Sequence, residues 1–408
     1  MKQNDPDAEE SKPEFPYWRR NFAIVPVAAL LSTLGLTMTI PFVPLMLLDL
    51  GVTDGLERWS GNTMLLFYLL GFLLNPIWGG VADHFGRKAM VLRATLGMGG
   101  TMWIASFATT PVWFAALFLL VGVFNGTNAA YNSLLLATTP KRKVGTALTL
   151  AQSGVLMGRI IGPGLAALAL TLISEHHLML RFSGSVLLAG GILAMFARDV
   201  HQKAEVKWRL RWLADLRSIA SVPRMPTLLI LCFISNVMLA GSITITTLFM
   251  LELVAANPGS GDVTFWVGVT SMGLAVASLS ALPLWARALN RGGAGTALAI
   301  ALVAAILTHI PMLFLTTPLQ LMITRIVFGF TAIGMQPAIV RLLSQYAPDG
   351  MQGRAISYGQ SFTFLSSGIA PFVAGLIAPV FGLRAYFALV IASTLFGLFM
   401  WLRASWKT

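Results

Sequence analysis

Apolar stretches of about 20 residues or more recur along the chain with short polar gaps between them, near 21–48, 61–82, 91–109, 112–137, 145–174, 179–197, 226–253, 264–286, 295–315, 319–344, 353–380 and 383–402. A helix rises about 1.5 Å per residue, so roughly 20 apolar residues cross the ~30 Å hydrocarbon layer of a bilayer. Lipid offers backbone groups no hydrogen bonds, and a helix satisfies its own. The expected fold is therefore all-α and integral to a membrane, with twelve crossings. Composition agrees, because a chain that is 56% hydrophobic and 11% charged has too little polar surface to cover a soluble globule.

The formal net charge of +12 would suggest a nucleic-acid partner in a soluble domain. Position gives it another meaning. Alternate gaps, starting with the N-terminal tail, hold 23 of the 28 Lys and Arg, and the opposite gaps hold only Arg58, Arg181 and Arg384. By the positive-inside rule both termini are cytoplasmic, in a multi-pass protein of the inner (cytoplasmic) membrane. The acidic tail, with Asp5, Asp7, Glu9, Glu10 and Glu14, has neither an apolar core nor a small-residue cleavage site, so the first helix is expected to act as an uncleaved signal anchor. The single cysteine, Cys232, lies within an apolar span and allows neither a disulfide nor a thiolate metal site.

The longest polar stretch, 198–224, divides six spans from six. Its alternation of Trp208, Leu210, Trp212, Leu213 and Leu216 with Arg and Lys fits either an amphipathic helix on the lipid surface or a solvated linker. Expected divisions are a tail at 1–20, a six-helix bundle at 21–197, the linker at 198–224, a second bundle at 225–402 and a tail at 403–408. The halves also repeat in sequence at an offset of 208: Gly145, Gln152 and Ser153 match Gly353, Gln360 and Ser361, while Pro140 and Pro163 match Pro348 and Pro371. Such parallel repeats predict two pseudo-symmetric bundles.

Between the second and third spans stands Gly79-Gly80-Val81-Ala82-Asp83-His84-Phe85-Gly86-Arg87-Lys88, with Arg93 following. This resembles the Gly-x-x-x-Asp-x-x-Gly-Arg-Arg/Lys loop between helices 2 and 3 of the major facilitator superfamily. The fifth span carries Gly154, Gly158 and Gly162 four apart, then Pro163 and Gly164. Glycines at that spacing form a bare stripe against which another helix packs closely. With the Gly-Pro pair they resemble the helix 5 motif of the superfamily's drug:proton antiporter branch, as does Ile40-Pro41-Phe42-Val43-Pro44-Leu45 at the end of the first span. The resemblance implies alternating access to a substrate held between the halves, export of amphipathic drugs or metabolites against proton influx, no cofactor and a monomer. Two departures stand out. Phe118 occupies the position of the branch's usual helix 4 arginine, whose second-half counterpart is Arg325, and the helix 8–9 loop lacks the Asp.

No acid lies deep in a span. The candidates for proton coupling are Glu252 and Asp49 near outer helix ends, with His309 and Glu175 behind them, although each fits an interfacial residue better than a proton carrier. Two arginines, Arg159 and Arg325, fall inside spans, where a charge needs a partner or water. They suit either an anionic substrate group or local pairing within the protein. Asn125, Asn128 and Asn132 share one face of the fourth span. With Asn236, Gln152, Gln336, Gln360 and Tyr358 they are candidates for a cavity wall, or for hydrogen bonds between helices. No metal ligand set, Ser-His pair or phosphate loop marks an enzyme. The rival to drug export is transport of an organic anion such as a siderophore or conjugated metabolite through Arg159 and Arg325.

Overall fold

In a computed structural model of the chain, residues 15–140, 143–173, 175–199, 217–348 and 352–406 are described. The acidic tail to residue 14 and residues 200–216 of the expected amphipathic linker lie outside them. Helix 1 runs over Trp18–Thr39 and continues through a 3-10 turn, Ile40–Phe42, into Val43–Asp49. Helices 2 and 3 are Leu56–Phe85 and Arg87–Ala105, and helix 4 is Pro111–Phe124 followed by Thr127–Thr138. Helices 5 and 6 are Val144–Ile173 and His176–Met195. Helix 7 is Met225–Asn236, a π-helical turn Val237–Gly241 and Ser242–Ala256; helices 8 and 9 are Val263–Gly292 and Ala294–His309. Helix 10 is Pro318–Ala332 followed by Met335–Tyr346, and helices 11 and 12 are Gln352–Phe381 and Leu383–Trp406. Among the described residues, 10 of these are long and apolar enough to cross a membrane by length and composition. The remaining two, helices 2 and 3, complete the expected twelve.

Local chemistry starts and stops these helices. Thr110 and Thr317 accept hydrogen bonds from backbone N–H groups in the first turns of helices 4 and 10, each with a proline directly after it. Helices 2 and 3 are separated by Gly86 alone (φ 93), and helices 8 and 9 by Gly293 alone (φ 79). A one-residue reversal at positive φ favours glycine at both places. The helix 8–9 turn has thus lost the acid but retains the backbone geometry of its first-half counterpart.

By contact the chain forms two compact units, Met1–Thr39 with Leu73–Trp208, and Ile40–Phe72 with Arg209–Thr408. The outer segment Ile40–Phe72 therefore groups with the second unit.

In the first unit, helix 1 is embraced by helices 5 and 6. A Cβ on Gly158 would stand 2.7 Å from the Leu30 carbonyl oxygen, and one on Gly35 2.6 Å from that of Ser183, so backbones touch where these glycines lie. Asn21 lies in the first turn of helix 1 and is completely buried. Its Nδ2 donates to Thr138 Oγ1 at 2.9 Å and to the Arg198 carbonyl at 2.7 Å, while its Oδ1 accepts from the Arg198 N–H at 2.9 Å. One side chain thereby ties helices 1 and 4 to the residues just after helix 6. Each such bond contributes about 1 kcal/mol, and buried partners left unsatisfied cost more. Asn21→Ala is expected to lower the Tm of the purified protein by roughly 5 °C in a thermal scan; an unchanged Tm would show that the three bonds are redundant.

In the second unit, Gly61 and Gly375 bring helices 2 and 11 together, with the added Cβ atoms 2.5 Å from the Pro371 oxygen and 2.6 Å from the Glu57 oxygen. Thr247 of helix 7 donates to the Pro41 carbonyl at 2.7 Å. At the π turn in helix 7 the Val237 carbonyl also accepts from Tyr386 Oη at 3.1 Å and Ser242 Oγ at 3.3 Å, which ties helix 12 to this turn.

Candidate functional site

The turn between helices 2 and 3 is fastened to the end of helix 6. The Lys88 backbone N–H, in the first turn of helix 3, donates to Asp199 Oδ2 at 3.1 Å, and Lys88 Nζ donates to the Met195 carbonyl at 2.6 Å. An acid thus meets a helix N-terminus and a cation meets a helix C-terminus, both in the direction the helix dipole favours. Arg87 opens helix 3. Gly79 and Asp83 lie on helix 2, and the placement of their side chains is outside what the structure describes.

Helix 4 is interrupted at Asn125 and Gly126, where Gly126 takes φ 117. The Asn125 Oδ1 accepts from the Gly126 N–H at 2.6 Å. On the other side of the interruption, Trp78 Nε1 donates to the Val123 carbonyl at 3.0 Å, and Arg93 donates to the Val123 and Asn125 carbonyls at 3.3 Å each. The Arg93 guanidinium stacks 3.8 Å from the centre of the Trp78 ring. Arg93, expected as part of the signature loop, is therefore the cation that caps the first segment of helix 4, Pro111–Phe124. Beyond the interruption, Gln152 of helix 5 donates through Nε2 to Asn128 Oδ1 at 3.2 Å and Asn132 Oδ1 at 3.1 Å. These amides form a polar face with Gln152 exposed in the isolated protein. It offers a ligand neutral donors and acceptors, with no fixed charge.

Gly154, Gly158 and Gly162 meet helix 1 within the same unit, opposite Pro26, Leu30 and Thr37 respectively, and Thr37 Oγ1 donates to the Gly158 carbonyl at 3.0 Å. Pro163 sits inside helix 5 one residue beyond the last of them.

The second unit repeats the helix 4 device with other residues. Helix 10 is interrupted at Ile333 and Gly334, and Trp285 of helix 8 donates its indole N–H to the Phe330 carbonyl at 3.1 Å. A Cβ on Gly334 would fall on the Trp285 ring. Both tryptophan bonds join residues 45 apart, so the repeat persists in three dimensions where the sequences differ. Gln336 Nε2 donates to Ser235 Oγ at 3.2 Å. Asn236 is buried, and its amide is taken up by the Thr363 carbonyl at 2.7 Å and the hydroxyls of Ser366 and Ser367 at 2.9 and 2.6 Å, which fixes helix 7 to helix 11. Tyr358 is buried and Gln360 exposed on helix 11.

The charged candidates part company. Arg159 is exposed on helix 5 in the first unit, and Arg325 is 2% exposed on helix 10 in the second. Glu252 and Asp49 are exposed, whereas His309 is completely buried at the end of helix 9. Sequence reasoning passed over Asn21, Trp78, Trp285 and Tyr386 as site supports. For the tryptophans a signal was present, since indole N–H groups inside apolar spans need an acceptor; nothing in the local sequence marks Asn21.

The sequence profile of the Major Facilitator Superfamily matches residues 27–318 and 266–407. The multidrug resistance protein MdtG of Salmonella arizonae is 30% identical over 389 residues, covering 93% of this chain and 94% of that protein. MdtG of Citrobacter koseri is 31% identical over 388 residues, with 93% of both chains covered. Among solved structures, the nucleoside transporter NupG aligns with a TM-score of 0.75 at 14% identity over 94% of this chain and 98% of its own. A bacterial homologue of the human lysosomal transporter Spinster aligns at 0.76 with 13% identity, covering 96% and 97%. At those identities the two structures speak for the fold alone. Helix count, the duplicated interruptions in helices 4 and 10, and a profile covering nearly the whole chain agree: the protein belongs to the major facilitator superfamily.

Proposed function

We propose that this chain is a secondary active transporter exporting amphipathic small molecules across the inner membrane by alternating access, in exchange for protons, as a monomer with both termini cytoplasmic. The observation that carries this reading is the similarity to MdtG multidrug resistance proteins along 93% of the chain. The neutral face of Asn128, Asn132 and Gln152 supports it, because amides that both donate and accept serve chemically varied ligands. Proton coupling is assigned to Glu252, Asp49 or His309, and the substrate wall to that amide face with Asn125, Gln336, Gln360, Tyr358 and Arg159.

The test is transport in proteoliposomes with an imposed pH gradient, comparing cationic dyes with anionic compounds. Gradient-dependent movement of cationic or neutral amphipaths is the expected result; movement of anions alone favours the organic-anion reading, and movement of neither class overturns the assignment. In the same assay Gln152→Leu is expected to reduce transport about tenfold at unchanged expression, since it removes the amide that links Asn128 and Asn132. Undiminished transport in that variant would remove the amide face from the substrate path.

A further inference from the structure

Arg325 is enclosed, with no ion pair among the described residues. Its guanidinium lies 5.1 Å from the centre of the Phe328 ring one turn along helix 10, and His309 of helix 9 packs edge-on against the same ring at 4.8 Å. Among the described residues, Arg325 Nε and Nη1 and His309 Nε2 are buried with no hydrogen-bond partner. His309 Nδ1 stands 2.9 Å from the Ala305 carbonyl oxygen. A carbonyl only accepts, so Nδ1 carries a proton in this contact. Arg325 is the permanently charged member of the cluster. The groups within its electrostatic reach are His309 and the Tyr386 phenol, whose hydroxyl already donates to Val237. Neither is a carboxylate.

A second unpartnered donor stands at the same level. Helix 8 packs along helix 10 with Gly273 against Ile326, and with Leu274 and Ser278 against Gly329. One turn back from Leu274 and from Gly329 are Thr270 and Arg325, so the pair shares a depth in the unit. Thr270 is 2% exposed, and its Oγ1 has no partner among the described residues. A buried guanidinium with open N–H groups, at the level of a buried hydroxyl with an open O–H on the helix packed against it, lacks one negative charge and several acceptor lone pairs. Water would supply lone pairs but no charge. An anion supplies both.

We propose that Arg325 and Thr270 hold a small monovalent anion inside the second unit. Its chemistry is that of a halide or a single carboxylate, which would come from a resident free ion or from an acidic group on a carried molecule. The Phe328 ring, 5.1 Å from the guanidinium, gives that side of Arg325 an apolar neighbour, which favours a weakly hydrated ligand.

The experiment uses purified full-length protein in detergent, exchanged into sodium sulfate, whose anion is divalent and strongly hydrated. Sodium bromide is titrated in at constant ionic strength while unfolding is followed by tryptophan fluorescence, with a parallel titration in sodium acetate. Wild type is expected to show a saturable Tm rise of about 5 °C. That rise should be absent in Arg325→Gln and need several-fold more anion in Thr270→Val, which keeps the guanidinium and the side-chain volume. Where Arg325→Gln yields no folded protein, Arg325→Lys replaces it, with a weakened response expected. Bromide alone acting identifies a resident ion, acetate alone identifies a carboxylate group, and either supports the site. A wild type indifferent to both anions, or variants whose titrations superimpose on the wild type, overturns it. The readout is binding, so its failure leaves the export reading untouched.

Discussion

Gly158→Val is expected to abolish the folded first unit, leaving no monodisperse peak when the protein is run on a sizing column in detergent. The added Cβ alone would stand 2.7 Å from the Leu30 carbonyl oxygen and 2.8 Å from the Leu34 backbone nitrogen. Both obstacles belong to the backbone of helix 1, so no side-chain rotation relieves the contact. Moving helix 1 outward would break the Thr37 bond to the Gly158 carbonyl and open the neighbouring contacts at Gly154 and Gly162. Strain and lost packing together cost upwards of about 3 kcal/mol, a large share of a membrane bundle's stability. The control is Gly100→Ala on helix 3, where nothing lies within 4 Å of the new atom and wild-type behaviour is expected. A Gly158→Val protein as stable as wild type would refute the close backbone approach.

Arg93→Met should carry the second largest effect, lowering stability by about 2–3 kcal/mol. The variant keeps the apolar stem but leaves the Val123 and Asn125 carbonyls without their cation and the Trp78 face without its stack. Trp78 would still donate to Val123, so the loss is partial. Arg93→Lys restores the charge but not the planar, two-pronged donor, and an intermediate value is expected. Thermal unfolding of the three proteins checks the order; equal midpoints for Met and Arg would show that the interruption of helix 4 does not depend on position 93.

The class of the protein was legible because membrane insertion writes itself into sequence as a strong signal, the length of apolar runs. A reversal near Gly86 could be read from its glycines, but the helices run further than the apolar spans 61–82 and 91–109 and leave a turn of one residue. Side-chain partnership was less legible. Asn128 and Asn132, one turn apart on helix 4, both accept from Gln152 of helix 5, a partnership between helices that spacing along one helix does not show. Asn236, from the same reasoning, turned out to be committed to helix 11, because a buried amide looks alike in sequence whether its acceptors are a ligand or the hydroxyls of Ser366 and Ser367. Arg159 and Arg325 look equivalent by depth, and one is exposed while the other is enclosed. Burial depends on which faces of neighbouring helices arrive, and no local pattern encodes that.

The π turn at Val237–Gly241 accommodates one residue more than the same length of α-helix would hold. A helical wheel drawn through helix 7 without a break therefore runs about 100° out of phase on its far side, assigning Thr246 and Thr247 to the wrong faces. Alignment with a relative whose helix 7 is regular should open a one-residue gap inside this turn, where no loop exists to absorb it. Deleting one residue there would rotate everything from Ser242 to Ala256 relative to Met225–Asn236, a change of phase that no point substitution in the segment can mimic.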